Sequence, residues 1–254
     1  MSANNYTVPM LGKAFKIIEK ISQNPEGISF IGIVNSINEA KTTVFRILYT
    51  LEKNNWVEKR GENYYLGFMF IHYGLITLSK RNLRNIARPF MQKLTENITE
   101  TSHIAVLSGK QSMLLDVCDS PHHIKPSSNI GALLPLHCTS HGKVFLSYAI
   151  KETAADFLKD ENLEKKTKHT ITNLTELQNE IGRIRSRGYA IDDLEFFEDV
   201  RCLAAPIWGA DGACIGALGI TATAVSFPRA KIKEYSQAVI SVAKEISREM
   251  GGMS

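Results

Sequence analysis

The chain has 254 residues, 44% apolar and 22% charged, the composition of an ordinary folded protein with one large domain or two modest ones. Its start, MSANNYTVPMLGK, lacks the basic and apolar regions of a secretory signal, and its longest weakly polar run, Ala213 to Val225, falls short of the ~20 residues of a membrane span. The expectation is a cytoplasmic protein with no membrane partner. Its net charge of +4 is unevenly held, because residues 1–84 carry 11 Lys/Arg against 6 Asp/Glu and the remainder 19 against 20. A basic first third suggests that one end meets a polyanion, although a solvated basic face gives the same count.

From Pro9 to Ile21, Leu11, Ala14, Phe15, Ile18 and Ile21 fall at helical spacing, with Lys13, Lys16, Glu19 and Lys20 outside. The cluster Asn24-Pro25-Glu26-Gly27 stops this helix. Ser29 can cap a second, Phe30 to Ile37, whose apolar face is Phe30, Ile33, Val34 and Ile37. Asn38 tolerates the left-handed turn that follows. A third helix is predicted from about Ala40 to Asn54, with Val44, Ile47, Leu48 and Leu51 inward and Lys41, Thr42, Phe45, Arg46 and Tyr49 outward. Val57–Arg60, a polar tip at Gly61-Glu62-Asn63, and Tyr64–Leu66 read as a hairpin.

Helix, helix, tight turn, helix and hairpin make residues 1–66 a winged helix-turn-helix whose third helix would enter the major groove of double-stranded DNA. Lys41 and Arg46 suit phosphate or guanine, and Thr42 and Thr43 suit short hydroxyl contacts. Phe45 and the hairpin residues Lys59, Arg60 and Asn63 complete the expected DNA-facing set. A three-helix packing unit with no nucleic acid is the competing reading.

VPMLGKAFKIIEKISQNPEGISF, TTVFRILYTLEKNNWVEK and YYLG resemble the N-terminal module of the IclR family of bacterial transcription factors. The family's Lys-Ser-Thr-Val-x-Arg-Leu-Leu pattern appears as Lys41-Thr42-Thr43-Val44-Phe45-Arg46-Ile47-Leu48. Its usual Gly-x-Pro in the preceding turn is replaced by Asn38-Glu39-Ala40, which puts the acidic Glu39 beside the DNA. The next segment, Leu66 to Lys80, is apolar on nearly every side, so residues 67–81 read as a connector helix buried between two copies. The resemblance likewise implies a homodimer, with the sequence leaving a tetramer of paired dimers open. Two recognition helices about one helical turn apart predict a near-palindromic operator.

Residues 82–254 follow as an effector-binding domain. Asn82–Thr101 reads as an amphipathic helix with Ile86, Phe90, Leu94 and Ile98 inward. Strand-like runs follow at His103–Leu107, Ser112–Cys118, Val200–Trp208 and Ala213–Thr221, with Ala210-Asp211-Gly212 turning between the last two. Helical patterns cover Gly142–Ile150, Leu174–Arg187 and Lys231–Met250. The fold class is therefore α+β, one antiparallel sheet flanked by helices. The IclR resemblance continues through PLHCTSHGK at 135–143, RGYAIDDLE at 187–195 and RCLAAP at 201–206, and implies a GAF-like sheet cupping a small molecule. By position it implies effector contacts at Ser140, His141, Asp192, Cys202, Gly219 and Thr221, with Leu134 and Val200 as apolar wall. Gly219 stands where some relatives have serine, leaving room for a larger ligand.

His137-Cys138-Thr139-Ser140-His141 raises other chemistries. Zinc needs about four ligands in tetrahedral reach, and these histidines straddle the predicted helix start. A nucleophilic Cys138 needs a positioned base, which sequence neighbours do not supply. The four cysteines, Cys118, Cys138, Cys202 and Cys214, form no C-x-x-C pair, so reduced thiols are expected. Thr139 or Ser140 can instead cap a helix whose first N–H groups lack partners, a place that attracts a carboxylate. The reading is a ligand-responsive regulator with no catalytic residue, metal or cofactor, sensing a small carboxylic acid, a sugar acid among the candidates. A metal-dependent sensor or enzyme using His137, Cys138 and His141 is the alternative.

Overall fold

A computed structural model describes residues 8–80, 83–149 and 163–252. Arg81, Asn82 and Ile150, at the ends of predicted segments, lie outside the described residues. The chain divides into two compact units, Met1–Arg81 and Asn82–Ser254.

In the first unit, α1 (Pro9–Ser22) opens on a proline, whose missing N–H costs nothing at a helix start. α2 (Phe30–Ile37) is capped by Ser29, whose Oγ accepts from Gly32 N at 3.2 Å, and ends on Asn38 in the left-handed region at φ 52°. α3 (Lys41–Lys53) follows. Strands β2 (Val57–Arg60) and β3 (Asn63–Leu66) form the hairpin, and β1 (Ile28–Ser29) adds to it in the order β1-β3-β2. Ile17, Ile21, Ile33, Val44, Ile47, Leu48, Val57 and Tyr64 form its core. The buried stripe of α1 is shifted from the predicted one: Ala14 packs beside Ile17 and Ile21, while Leu11 and Phe15 are exposed. Both stripes satisfy helical spacing, and the placement of α2, α3 and β3 selects one. α4 (Phe68–Lys80) is held at its start by Trp56 against Phe70 and Tyr73 and leaves Phe68, Ile71 and Leu75 exposed.

The second unit runs α5 (Leu83–Ile98), β4 (Thr101–Ser108), β5 (Gln111–Cys118), β6 (Leu133–Pro135), α6 (Ser140–Tyr148), α7 (Leu174–Arg187), β7 (Ala190–Asp193), β8 (Val200–Trp208), β9 (Cys214–Thr223) and α8 (Ile232–Glu249). The strands form one antiparallel sheet in the order β6-β5-β4-β9-β8-β7. Side chains alternate between the two faces of a strand. α6 and α7 pack with Ala105, Ala204 and Ala217, and residues of the same parity on their strands share that face. α5 and α8 pack on each other, α5 also on β4 and β5 and α8 on β8 and β9. The buried stripe of α5 is Leu83, Ala87, Met91, Leu94 and Thr95, whereas the predicted Ile86, Phe90 and Ile98 are half-buried. Polar contacts help set that rotation, since Thr95 Oγ1 and Ser102 Oγ meet at 2.8 Å and Arg88 donates to Asp116 Oδ1 at 2.9 Å.

A candidate DNA-binding face and an effector cavity

The outward face of α3 carries Lys41, Thr42, Phe45 and Arg46, all exposed, with Thr43 half-buried. Lys59 and Arg60 are exposed on β2, and Asn63 is half-buried between Arg60 and Ser29 in the sheet. Arg60 donates to both Glu58 oxygens at 2.9 and 2.7 Å, so part of its charge is answered within the hairpin. Glu39 is itself neutralised, for Lys13 Nζ sits 2.7 Å from its Oε2. The acid that replaces the family's usual turn therefore leaves the cationic face largely intact.

In the second unit a cavity of about 260 Å³ lies on the sheet face toward α6. Its polar floor is one row across three strands: Asp192 on β7 faces Cys202 on β8, which faces Thr221 on β9. Thr221 Oγ1 lies 3.1 Å from Cys202 Sγ and 2.9 Å from His103 Nε2. The His103 and His141 rings meet edge to face at 5.1 Å, and His141 Nδ1 pairs with Ser112 Oγ at 3.0 Å. Thr139 caps α6, accepting from Gly142 N at 3.2 Å while its hydroxyl donates to Pro135 O at 2.7 Å. A Cβ on Gly142 would lie 2.5 Å from the Leu136 backbone, so glycine permits this tight entry. The Ser140 and His141 N–H groups precede the first intrahelical bond. Ser140 Oγ is fully buried, lines the cavity and has no hydrogen-bond partner among the described residues.

Burial sets the protonation of this site. It pushes His103 down to about 4, and it holds His141, beside His103, well below the ordinary imidazole value. Burial raises Asp192 to about 7, opposed by Lys143, although Asp192 Oδ1 accepts from the N–H groups of Glu195 at 2.7 Å and Phe196 at 3.3 Å. Near neutral pH both histidines are uncharged.

Residues 75–248 match the bacterial transcriptional regulator IclR C-terminal family, and residues 10–61 match the IclR helix-turn-helix domain. The chain belongs to the IclR family. It is 28% identical to the transcriptional repressor IclR of Escherichia coli over 250 residues, covering 97% of this chain and 91% of that one. The Thermotoga maritima IclR structure aligns with TM-score 0.73 and 31% identity over 96% of this chain and 99% of that one. An IclR homolog from Microbacterium hydrocarbonoxydans, solved with 4-hydroxybenzoate, aligns with TM-score 0.82 at 18% identity over 95% and 98% of the two chains. The protein is thus a DNA-binding transcriptional regulator, and the named E. coli relative is a repressor.

In this IclR-family chain, Leu134, Ser140, His141, Asp192, Val200, Cys202 and Thr221 all line the cavity. Gly219 does not. It pairs with His103 across the sheet, and a Cβ there would lie 2.5 Å from His103 Cε1. The missing side chain makes room for the imidazole rather than for a larger ligand. Sequence reasoning missed His103 as a wall residue, along with Thr139, Phe196, Phe197 and the 126–129 segment. The available signal was a histidine leading directly into the apolar run Ile104-Ala105-Val106-Leu107. His137 is buried, with Nε2 3.1 Å from Glu164 O, and Cys138 is fully buried with its thiol pushed up to about 12. Among the described residues no three His, Cys, Asp or Glu side chains group to hold a metal ion. None of their helices is long and apolar enough to cross a membrane.

Proposed function

We propose that this regulator binds a near-palindromic operator as a dimer in the cytoplasm and responds to a small hydroxylated carboxylic acid held at the start of α6. The observation that carries the effector reading is the buried hydroxyl of Ser140, unpartnered among the described residues and lining the cavity beside the first N–H groups of a helix start. No Lys or Arg is among the described residues lining this cavity, so the carboxylate is recognised by amide donors, Ser140 and His141. Thr221, Asp192 and Cys202 offer partners for hydroxyls farther along the floor. The bound 4-hydroxybenzoate of the Microbacterium homolog belongs to the same chemical class. An effector changes operator affinity only so far as it binds the protein's two states differently. The exposed apolar residues of α4 supply a surface for the second copy.

A thermal-shift screen of keto, hydroxy and aromatic acids tests the effector. One acid at a hundredfold excess over its Kd should stabilise the protein by about 2.7 kcal/mol. Ser140→Pro, which removes a backbone donor at a helix position that accepts proline, should abolish that shift while duplex binding survives. An undiminished shift in Ser140→Pro would place the acid elsewhere. For the DNA face, Lys41→Ala with Arg46→Ala should weaken duplex binding and flatten its salt dependence, by about 0.9 in log–log slope for each phosphate no longer neutralised. Unchanged affinity and slope would remove α3 from the interface.

A further inference from the structure

The outward face of α3 is not wholly polar. Phe45 is 58% exposed and Tyr49 57%, with their rings stacked at 6.4 Å and 21°. Phe30, from α2, meets Phe45 edge-on at 6.5 Å. Phe30, Lys41, Thr42, Phe45 and Arg46 line one shallow depression. Burying a phenyl side chain is favourable, so a ring kept outside the core forgoes stability that a partner can recover. Charge points to the kind of partner. Lys41 and Arg46 flank the ring, Glu39 is tied to Lys13, and the acid of α3, Glu52, sits in its last turn. The polyanion that fits a cationic helix is duplex DNA, and the apolar group that its major groove presents is the C5-methyl of thymine.

We propose that Phe45 is a specificity-determining residue that reads thymine, its ring packing on a 5-methyl group in the major groove while Tyr49 and Phe30 hold it in orientation. This rests on the operator reading above. The full chain is used to enrich binding sequences from a random duplex pool, and each thymine of the enriched sequence is then replaced by uracil. That change keeps base pairing and removes only the methyl. At one or more thymines of each half-site, wild-type affinity should fall about fourfold per methyl, the value of one buried carbon. Phe45→Ala, at an exposed position outside the core, should bind thymine and uracil duplexes equally and keep the wild-type salt slope. Wild-type indifference to uracil at every position overturns the proposal, as does a Phe45→Ala protein that still senses the methyl. Those results leave the operator reading standing and point the aromatic face toward a protein partner. Failure of the wild type to enrich any sequence overturns both.

Discussion

Lys143→Ala should destabilise the protein by about 3–5 kcal/mol at about pH 8, the usual cost of leaving one member of a buried ion pair alone. Lys143 is fully buried within α6, and its Nζ pairs with Glu195 Oε1. Glu195 is buried too, its other oxygen has no hydrogen-bond partner among the described residues, and burial already raises its pKa. Without the ammonium, the carboxylate must either remain charged in an apolar setting or take up a proton. The loss should therefore be smaller at about pH 5, where protonation is easy, than at about pH 8. Lys143→Met with Glu195→Gln, which removes both charges, should regain most of the stability. Denaturant melts of the three proteins at both pH values decide it. A loss below about 1 kcal/mol in Lys143→Ala at the higher pH would mean that the pair is solvated. Because α6 also carries Ser140 and His141, this pair ties the cavity wall to the segment after β7.

Asp192→Asn has the opposite sign. In the unfolded chain this carboxyl ionises near its ordinary 3.8, whereas in the fold it keeps its proton to about 7. Its contribution to stability is complete below 3.8, declines as pH rises, and is lost above 7. Asparagine keeps an acceptor for the Glu195 and Phe196 N–H groups without the buried charge. The variant should be more stable than wild type by about 2–4 kcal/mol at about pH 8 and equal to it below about pH 4. His103 works in the other direction in both proteins, contributing fully above 6.5 and losing its contribution as pH falls to about 4. The difference between the two melting curves isolates Asp192, and a pH-independent difference would contradict its burial as an acid. A side chain kept at a cost to stability is a mark of a functional position. Asp192 lines the cavity where an effector hydroxyl would meet it.

Much of the DNA-binding unit was legible in the sequence because its signals are local. Ser29 caps a helix that spans the predicted residues, Asn38 turns left-handed, and the hairpin reverses at Gly61-Glu62. Asn63, read as part of the tip, instead pairs within β3. Each of these choices is decided within a few residues by hydrogen bonding and backbone sterics. The helix start at Thr139 was readable for the same reason. The short strands β1, β6 and β7 went unread, since so few residues carry little alternation and are held mainly by their neighbours in the sheet.

What the chain determined by itself is thus its helices, turns and longer strands, its basic first third, and the helix start that faces the cavity. The tertiary structure alone decided which stripe of α1 and α5 is buried, since each has two faces at helical spacing. It also brought His103 to Thr221, set Gly219 behind the imidazole, and joined Lys143 to Glu195 across 52 residues. Those pairings depend on strand order and register, with β4 lying beside β9. Long-range register is a property of the whole packed sheet, so no local run of residues encodes it.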